Sequence, residues 1–326
     1  MPIHYITNDP NDNIFEMAKK EPRIKPYYIG EKKLIVLMMK MDADVVVMTV
    51  PDLDNFHIKR SYVRDDIEYI LVQHGIGSLN LLYRKGSMDH YDTVFCSGKR
   101  QKEEIRAIEK AYNLKEKVCV DVGYPLLDDM LADYKAMPKK ENERKKILIA
   151  PSWHDGNIIE SCLDNVLDSL KGEDYEIIVR PHPQHVRHCP ALFEDYKNKY
   201  RDDKNIEIQT DFSSNNPVLQ ADVVITDWSD IVWEFSLITD RPTVFINTKM
   251  KVMNPEWEKI DVVPLNIELR EVVGRSVNLE DTPKINEVIK DVIENKDKYK
   301  DAILNIKKEH VYNSGNSAYF GGRYIV

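Results

Sequence analysis

Apolar residues in this chain come in short unbroken runs rather than in alternation. Eight stand out: Val45–Val50, Tyr69–Val72, Thr93–Cys96, Val118–Val122, Ile147–Ala150, Glu176–Val179, Val223–Thr226 and Thr243–Ile246. Unbroken apolarity marks strands covered on both faces, as in a parallel sheet. Segments of helical spacing lie between them, most clearly Lys99 to Asn113 and Ile158 to Leu170. Residues 286–310 read as charged, amphipathic helix. Strand–helix alternation predicts a doubly wound α/β fold.

The stretch YKAMPKKENERKK, Tyr134 to Lys146, is polar, charged and carries a proline. It reads as a connection and splits the strands into two sets. The expected organisation is a first Rossmann-like lobe over 1–134, a linker over 135–146 and a second lobe over 147–326 that includes the C-terminal helices. The chain opens on polar residues that read like mid-domain sequence, which raises the expectation of a further N-terminal region.

Length supports two lobes: 326 residues exceed one ordinary core and suit two domains of about 150 residues. A net charge of -9 argues against a nucleic-acid partner. Four cysteines without CxxC spacing point to a reducing, cytoplasmic compartment. The longest early apolar run, Leu34 to Met39, is far short of a spanning helix.

In open α/β sheets ligands bind at the carboxyl ends of the strands. The residues after each run are Gln73-His74-Gly75, Gly123-Tyr124-Pro125, Pro151-Ser152-Trp153-His154, Arg180-Pro181-His182-Pro183 and Thr226-Asp227-Trp228-Ser229-Asp230. His74, followed by Gly75 and Gly77, has the chemistry of a general base; a histidine bonded into a turn is an equal alternative. Arg180 offers a planar fork to phosphate oxygens, and His182, fixed between prolines, can hydrogen-bond a diphosphate or protonate a leaving phosphate. Ser229 is placed to cap a following helix whose amide end would seat a phosphate. Asp230 complicates that seat, since a carboxylate repels phosphate; it would bind a hydroxyl or sit away from the anion. His182, His185, His188 and Cys189 have no regular zinc spacing and read as a solvated loop. Trp153, Trp228 and Trp233 read as packing. Tyr83-Arg84-Lys85 reads as a solvated face rather than a membrane contact.

The motif series QHG, GYP, APSW, RPHP and TDWSD, in this order over roughly residues 65 to 250, resembles the CDP-glycerol glycerophosphotransferases of teichoic acid synthesis. Gly315-Asn316-Ser317-Ala318 also looks like that family's C-terminal signature. The resemblance implies a GT-B fold, a CDP-activated polyol donor in the second lobe, and no obligatory metal or cofactor. It implies His74 as general base, with His182 and Ser229 at the donor phosphates. Arg180, Ser152, Thr226, Asp227, Gly75 and Asp230 complete the expected donor and phosphate site. The expected reaction moves glycerol phosphate, or a related polyol phosphate, to a hydroxyl of a lipid-linked glycan or polymer, releasing CMP. A peripheral position at the inner membrane face goes with such acceptors. Departures are Gln73 before the HG pair, Leu126-Leu127-Asp128 after GYP, and Asp230 where the family has serine. Two other readings share the pattern: a GT-B sugar transferase using a nucleotide sugar, and a non-catalytic nucleotide-binding module.

Overall fold

The computed structural model describes residues 2–138 and 143–326. Among the described residues, twelve strands form three wholly parallel sheets. They are β1 Ile3–Thr7, β2 Ile24–Tyr28, β3 Val45–Met48, β4 Glu68–Val72, β5 Thr93–Cys96, β6 Val118–Asp121, β7 Lys145–Ile149, β8 Tyr175–Val179, β9 Ile206–Ile208, β10 Val223–Thr226, β11 Thr243–Asn247 and β12 Gly274–Asn278. β1 and β2 pair alone; β3-β4-β5-β6 make the first-lobe sheet; β12-β11-β10-β7-β8-β9 make the second.

The eight expected strands are all present, because apolar runs four to six residues long are most stable where helices cover both faces. The additional strands carry weaker signals. β1 and β2 are largely exposed, β9 is a single Ile-Glu-Ile and β12 is an edge strand of sequence GRSVN. In the second sheet the chain runs β7 to β9 in one direction and β10 to β12 in the other. β7 and β10 therefore flank a topological switch point, where a crevice opens at their carboxyl ends.

The expected connection is shorter than the charged stretch suggests. A helix runs to Ala136 and β7 begins at Lys145; residues 139–142 of the expected linker lie outside the described residues. The helix expected over 158–170 is broken at Cys162 into Ile158–Ser161 and Leu163–Leu170. The stretch 286–310 is two helices, Ile285–Glu294 and Asp297–His310.

The last helix, Ser317–Ile325, packs on the first lobe rather than the second. Tyr312 N–H donates to the Ser97 carbonyl at 2.9 Å, and the Asn313 amide donates to the Asp121 carbonyl at 2.6 Å. The Asp128 carboxylate accepts from the N–H groups of Gly315 and Ser317 at 2.5 and 2.9 Å. Gly123 of the GYP motif sits at φ +101° with Tyr312 and Ser317 so close that a side chain would collide. The motif glycine and the residue that departs from the family pattern thus hold the returning chain end.

A buried apolar seam joins the lobes. Ile76, Tyr124 and Leu127 of the first lobe share one cluster with Val232, Trp233 and Phe235 of the second. Among the described residues, no helix is long and apolar enough to cross a membrane.

Candidate active site

His74 follows β4 directly and lines a cavity of about 190 Å³ between the lobes. Asp52, Gly75, Gly77, Tyr83 and Arg84 line it from the first lobe, and Asp230, Lys251 and Met253 from the second. The Tyr83 hydroxyl donates to Gln73 Oε1 at 3.1 Å and lies 3.3 Å from His74 Nδ1. A phenol has one proton, and burial pushes the Tyr83 pKa up, so it keeps that proton. With that proton on Gln73, the phenol oxygen is free to accept from His74 Nδ1–H, the tautomer that leaves the Nε2 lone pair open. Tyr83 therefore belongs to the site, not to a solvated face; Arg84 and Lys85 pair with Asp52 and Glu256 at 3.6 and 3.0 Å. The sequence carried no signal for Tyr83, because its role depends on a turn that brings it back over His74.

His182 ends the turn after β8 and caps the short helix Pro183–His188. Its Nδ1 accepts the Gln184 N–H at 3.1 Å, so the ring proton lies on Nε2, which is left to donate. Burial, then the positive charges of Lys251 and His185, push its pKa down to about 4. That leaves a neutral imidazole whose Nε2–H is available to donate. Arg180 is steadied by Gln209 Oε1 at 3.2 Å, the Ser214 carbonyl at 2.8 Å and the Phe212 ring.

Lys251 is a site residue that sequence reasoning missed. It lines the cavity with His74 and acts electrostatically on both His182 and Asp230. It makes no ion pair among the described residues.

Other expected phosphate ligands are otherwise engaged. Thr226 is fully buried, its hydroxyl bonded to the Ala150 carbonyl at 2.6 Å. Asp227 is also buried. Its Oδ1 accepts the N–H groups of Ser152 and Trp228 at 2.8 and 2.6 Å, and its Oδ2 accepts that of Ile158 at 3.1 Å. It ties the turn after β7 to the turn after β10. The buried Ser152 hydroxyl donates to His154 Nδ1 at 2.7 Å, while His154 Nε2 donates to the Lys249 carbonyl at 2.7 Å. These three residues build the crevice rather than reach into it.

Ser229 also differs from expectation. The N-cap of the helix Ile231–Thr239 is Asp230, without a side-chain cap bond. The Ser229 hydroxyl, partly exposed, accepts from Ile231 N–H at a long 3.4 Å. Its hydroxyl and the amides behind it still face the end of β10, so it stays a phosphate candidate.

Asp230 is no phosphate ligand. Its carboxylate lies against the first lobe's glycine turn, accepts from Asn266 Nδ2 at 3.0 Å and is bonded by the Gly77 amide. Burial raises its pKa. Gly75, expected at the phosphates, instead offers its open face to Asp230 and its carbonyl to Gln101 at 2.9 Å. One turn along, burial first and then Asp230 raise the Glu234 pKa to about 7. Tyr124 spans the seam, donating to the His74 carbonyl at 3.0 Å with Glu234 at 3.4 Å.

The string from His182 to Cys189 is a helix and cap, not a loop. His185 is buried between Trp153 and Phe193, ring centroids at 5.0 and 5.2 Å, and His188 stacks on Trp153. No cluster of three metal-ligating side chains occurs among the described residues. Trp233 is core, and Trp228 is buried beneath the Arg270 guanidinium, 4.1 Å from its ring centre.

Two parallel-sheet lobes with a cavity between them, lined by His74, Arg84 and Lys251, have the architecture of a GT-B enzyme. Residues 4–319 match the family described as CDP-Glycerol:Poly(glycerophosphate) glycerophosphotransferase. The chain belongs to that family, whose reaction is the transfer of glycerophosphate from CDP-glycerol. It is similar to the teichoic acid glycerol-phosphate primase of Bacillus subtilis (strain 168), 25% identical over 273 residues, covering 75% of this chain and 67% of the relative. Among solved structures it resembles the wall teichoic acid polymerase TagF, with a TM-score of 0.60 at 16% identity, covering 99% of this chain and 88% of the other. A UDP-N-acetylglucosamine 2-epimerase from Rickettsia bellii has the same fold, with a TM-score of 0.58 at 14% identity over 100% and 95% of the chains.

Proposed function

We propose that the cleft transfers glycerol phosphate from CDP-glycerol to a hydroxyl of a lipid-linked or polymer acceptor in teichoic-acid-type synthesis. The observation that carries this reading is His74 on the cavity between the lobes, with Lys251 of the second lobe across from it. His74 presents a lone pair from the first lobe, and His182 presents an N–H from the second. His74 Nε2 takes the proton of the acceptor hydroxyl. The acceptor oxygen bonds to the phosphorus that carries the glycerol, and the bond from that phosphorus to the bridging oxygen breaks. CMP leaves with both electrons of that bond. Arg180, His182, Ser229 and Lys251 meet the charge on the transferring and departing oxygens. Phosphoryl transfer is governed by positioning and electrostatic stabilisation, which these groups supply. No cofactor is required in this scheme.

An acceptor carried on a lipid puts the working enzyme at a membrane surface, held peripherally. The structural relatives include nucleotide-sugar enzymes, so the donor is the point to test. The enzyme is incubated with CDP-glycerol, CDP-ribitol and common nucleotide sugars, and the released nucleotide is identified. CMP release with CDP-glycerol is expected. Release of a nucleoside diphosphate from a nucleotide sugar would replace this reading with glycosyl transfer, and tight CDP-glycerol binding without product across acceptors would replace it with a binding module.

A further inference from the structure

The turn that carries His74 is gripped by the second lobe at successive residues. At Gly75, a side-chain carbon would lie 2.8 Å from Asp230 Oδ2, with the next nearest atoms, also of Asp230, at 3.7 and 3.9 Å. At Gly77 such a carbon would collide with the same carboxylate. Neither glycine has the left-handed backbone that would itself demand glycine. Their missing side chains make room for Asp230. Between them, Ile76 is 3% exposed, buried in the cluster that contains Trp233 of the second lobe. Just after them, Ser78 N–H donates to Asn266 Oδ1 at 2.9 Å, and Asn266 also donates to Asp230. Asn266 N–H closes the set on Ser78 Oγ at 3.3 Å.

We propose that Asp230 is a positioning residue that seats in the Gly75–Gly77 turn and holds His74 at its working place only when the two lobes are together. This rests on the reading of His74 as base. Base competence is thereby coupled to lobe closure: a chain with the lobes apart holds its histidine on an unsupported turn. It also accounts for the carboxylate in a motif whose family form has serine. The carboxylate's length reaches across the seam to the Gly77 amide, where a serine side chain is shorter by one atom.

The test measures kcat and donor KM for CMP release in Asp230→Ala, Gly75→Ala, the double variant and Asp230→Asn. A misplaced base costs kcat, on the order of 10²-fold for a displacement of about 1 Å, without weakening donor binding. Asp230→Ala and Gly75→Ala should therefore each lower kcat and leave donor KM nearly unchanged. The double variant should be no slower than Asp230→Ala, because once the carboxylate is gone the new methyl meets no close neighbour. Asp230→Asn keeps the volume and one acceptor oxygen in place of two, and should lose less kcat than Asp230→Ala. Folded Asp230→Ala or Gly75→Ala at wild-type kcat would overturn the proposal. So would a double variant whose loss is the product of the single losses, or Asp230→Asn as slow as Asp230→Ala. If Asp230→Ala does not fold, the Gly75→Ala arm decides. Hydrogen exchange at residues 74–79 reads the clamp without substrate. Faster exchange there in Asp230→Ala supports it and unchanged exchange opposes it, even where wild-type enzyme releases no CMP and the transfer reading itself fails.

Discussion

At the level of single residues, the site turns on which nitrogen of each histidine carries the proton. Tyr83 and Gln73 assign His74, and the Gln184 amide assigns His182. His74→Ala should lower kcat by about 10²–10⁴-fold, the usual worth of a general base. Tyr83→Phe keeps the ring but removes the phenol oxygen that fixes the tautomer. It should lower kcat by a smaller factor, about tenfold, with donor KM unchanged. Steady-state CMP release checks both. Arg180→Ala should act differently, raising donor KM as well as lowering kcat, because a guanidinium placed for the donor phosphates, as proposed, would serve ground and transition states alike. The strand-end rule singled out His74, Arg180 and His182, and the structure places His74 on the cavity between the lobes. The rule could not separate residues that face the crevice from those that build it. Thr226 and Asp227 occupy the same strand end as Ser229, yet both are buried and spent on backbone groups. Lys251 lies in a loop without a motif, and only the fold brings it to the cavity that His74 lines.

At the level of elements, unbroken apolar runs were the reliable signal, and exposure decided what escaped. β1 and β2 are largely exposed, β9 is three residues long, and polar β12 is recruited by pairing with β11 from Thr243↔Gly274 to Asn247↔Asn278. The path of the chain end was equally illegible, since nothing in the GNSA signature says which lobe it meets. Asp128 answers that. Asp128→Ala should cost about 1–2 kcal/mol in denaturant unfolding and release the helix Ser317–Ile325, seen as faster hydrogen exchange there. The helix Lys99–Tyr112 supports the His74 turn through Glu104, which is fully buried and accepts the Leu79 N–H at 2.6 Å. Burial raises the Glu104 pKa from its ordinary 4.5 to about 8. A raised folded-state pKa gives stability that is complete below pH 4.5 and is lost as pH rises through about 8. Wild-type unfolding midpoints should therefore fall across that window more steeply than those of Glu104→Gln, which keeps the acceptor and cannot ionise.

At the level of the whole molecule, two parallel sheets meet through an apolar seam behind and a polar crevice in front. The division into two strand sets was legible because the charged stretch before β7 interrupts the apolar runs. The contacts across the seam were not legible, because each joins residues distant in sequence, such as Tyr124 with Glu234 and Ser78 with Asn266. The proposed transfer makes one demand on this arrangement: a base from the first lobe and phosphate-binding groups from the second must meet one donor. The most direct measurement compares single-turnover CMP release from CDP-glycerol by wild-type, His74→Ala and His182→Ala enzymes, each shown to be folded. Release of CMP with glycerol phosphate on the acceptor is predicted for wild type. His74→Ala should bind donor normally but turn over about 10²–10⁴-fold more slowly, and His182→Ala should bind donor more weakly. Full turnover by His74→Ala, or donor affinity and rate both untouched in His182→Ala, would contradict the account.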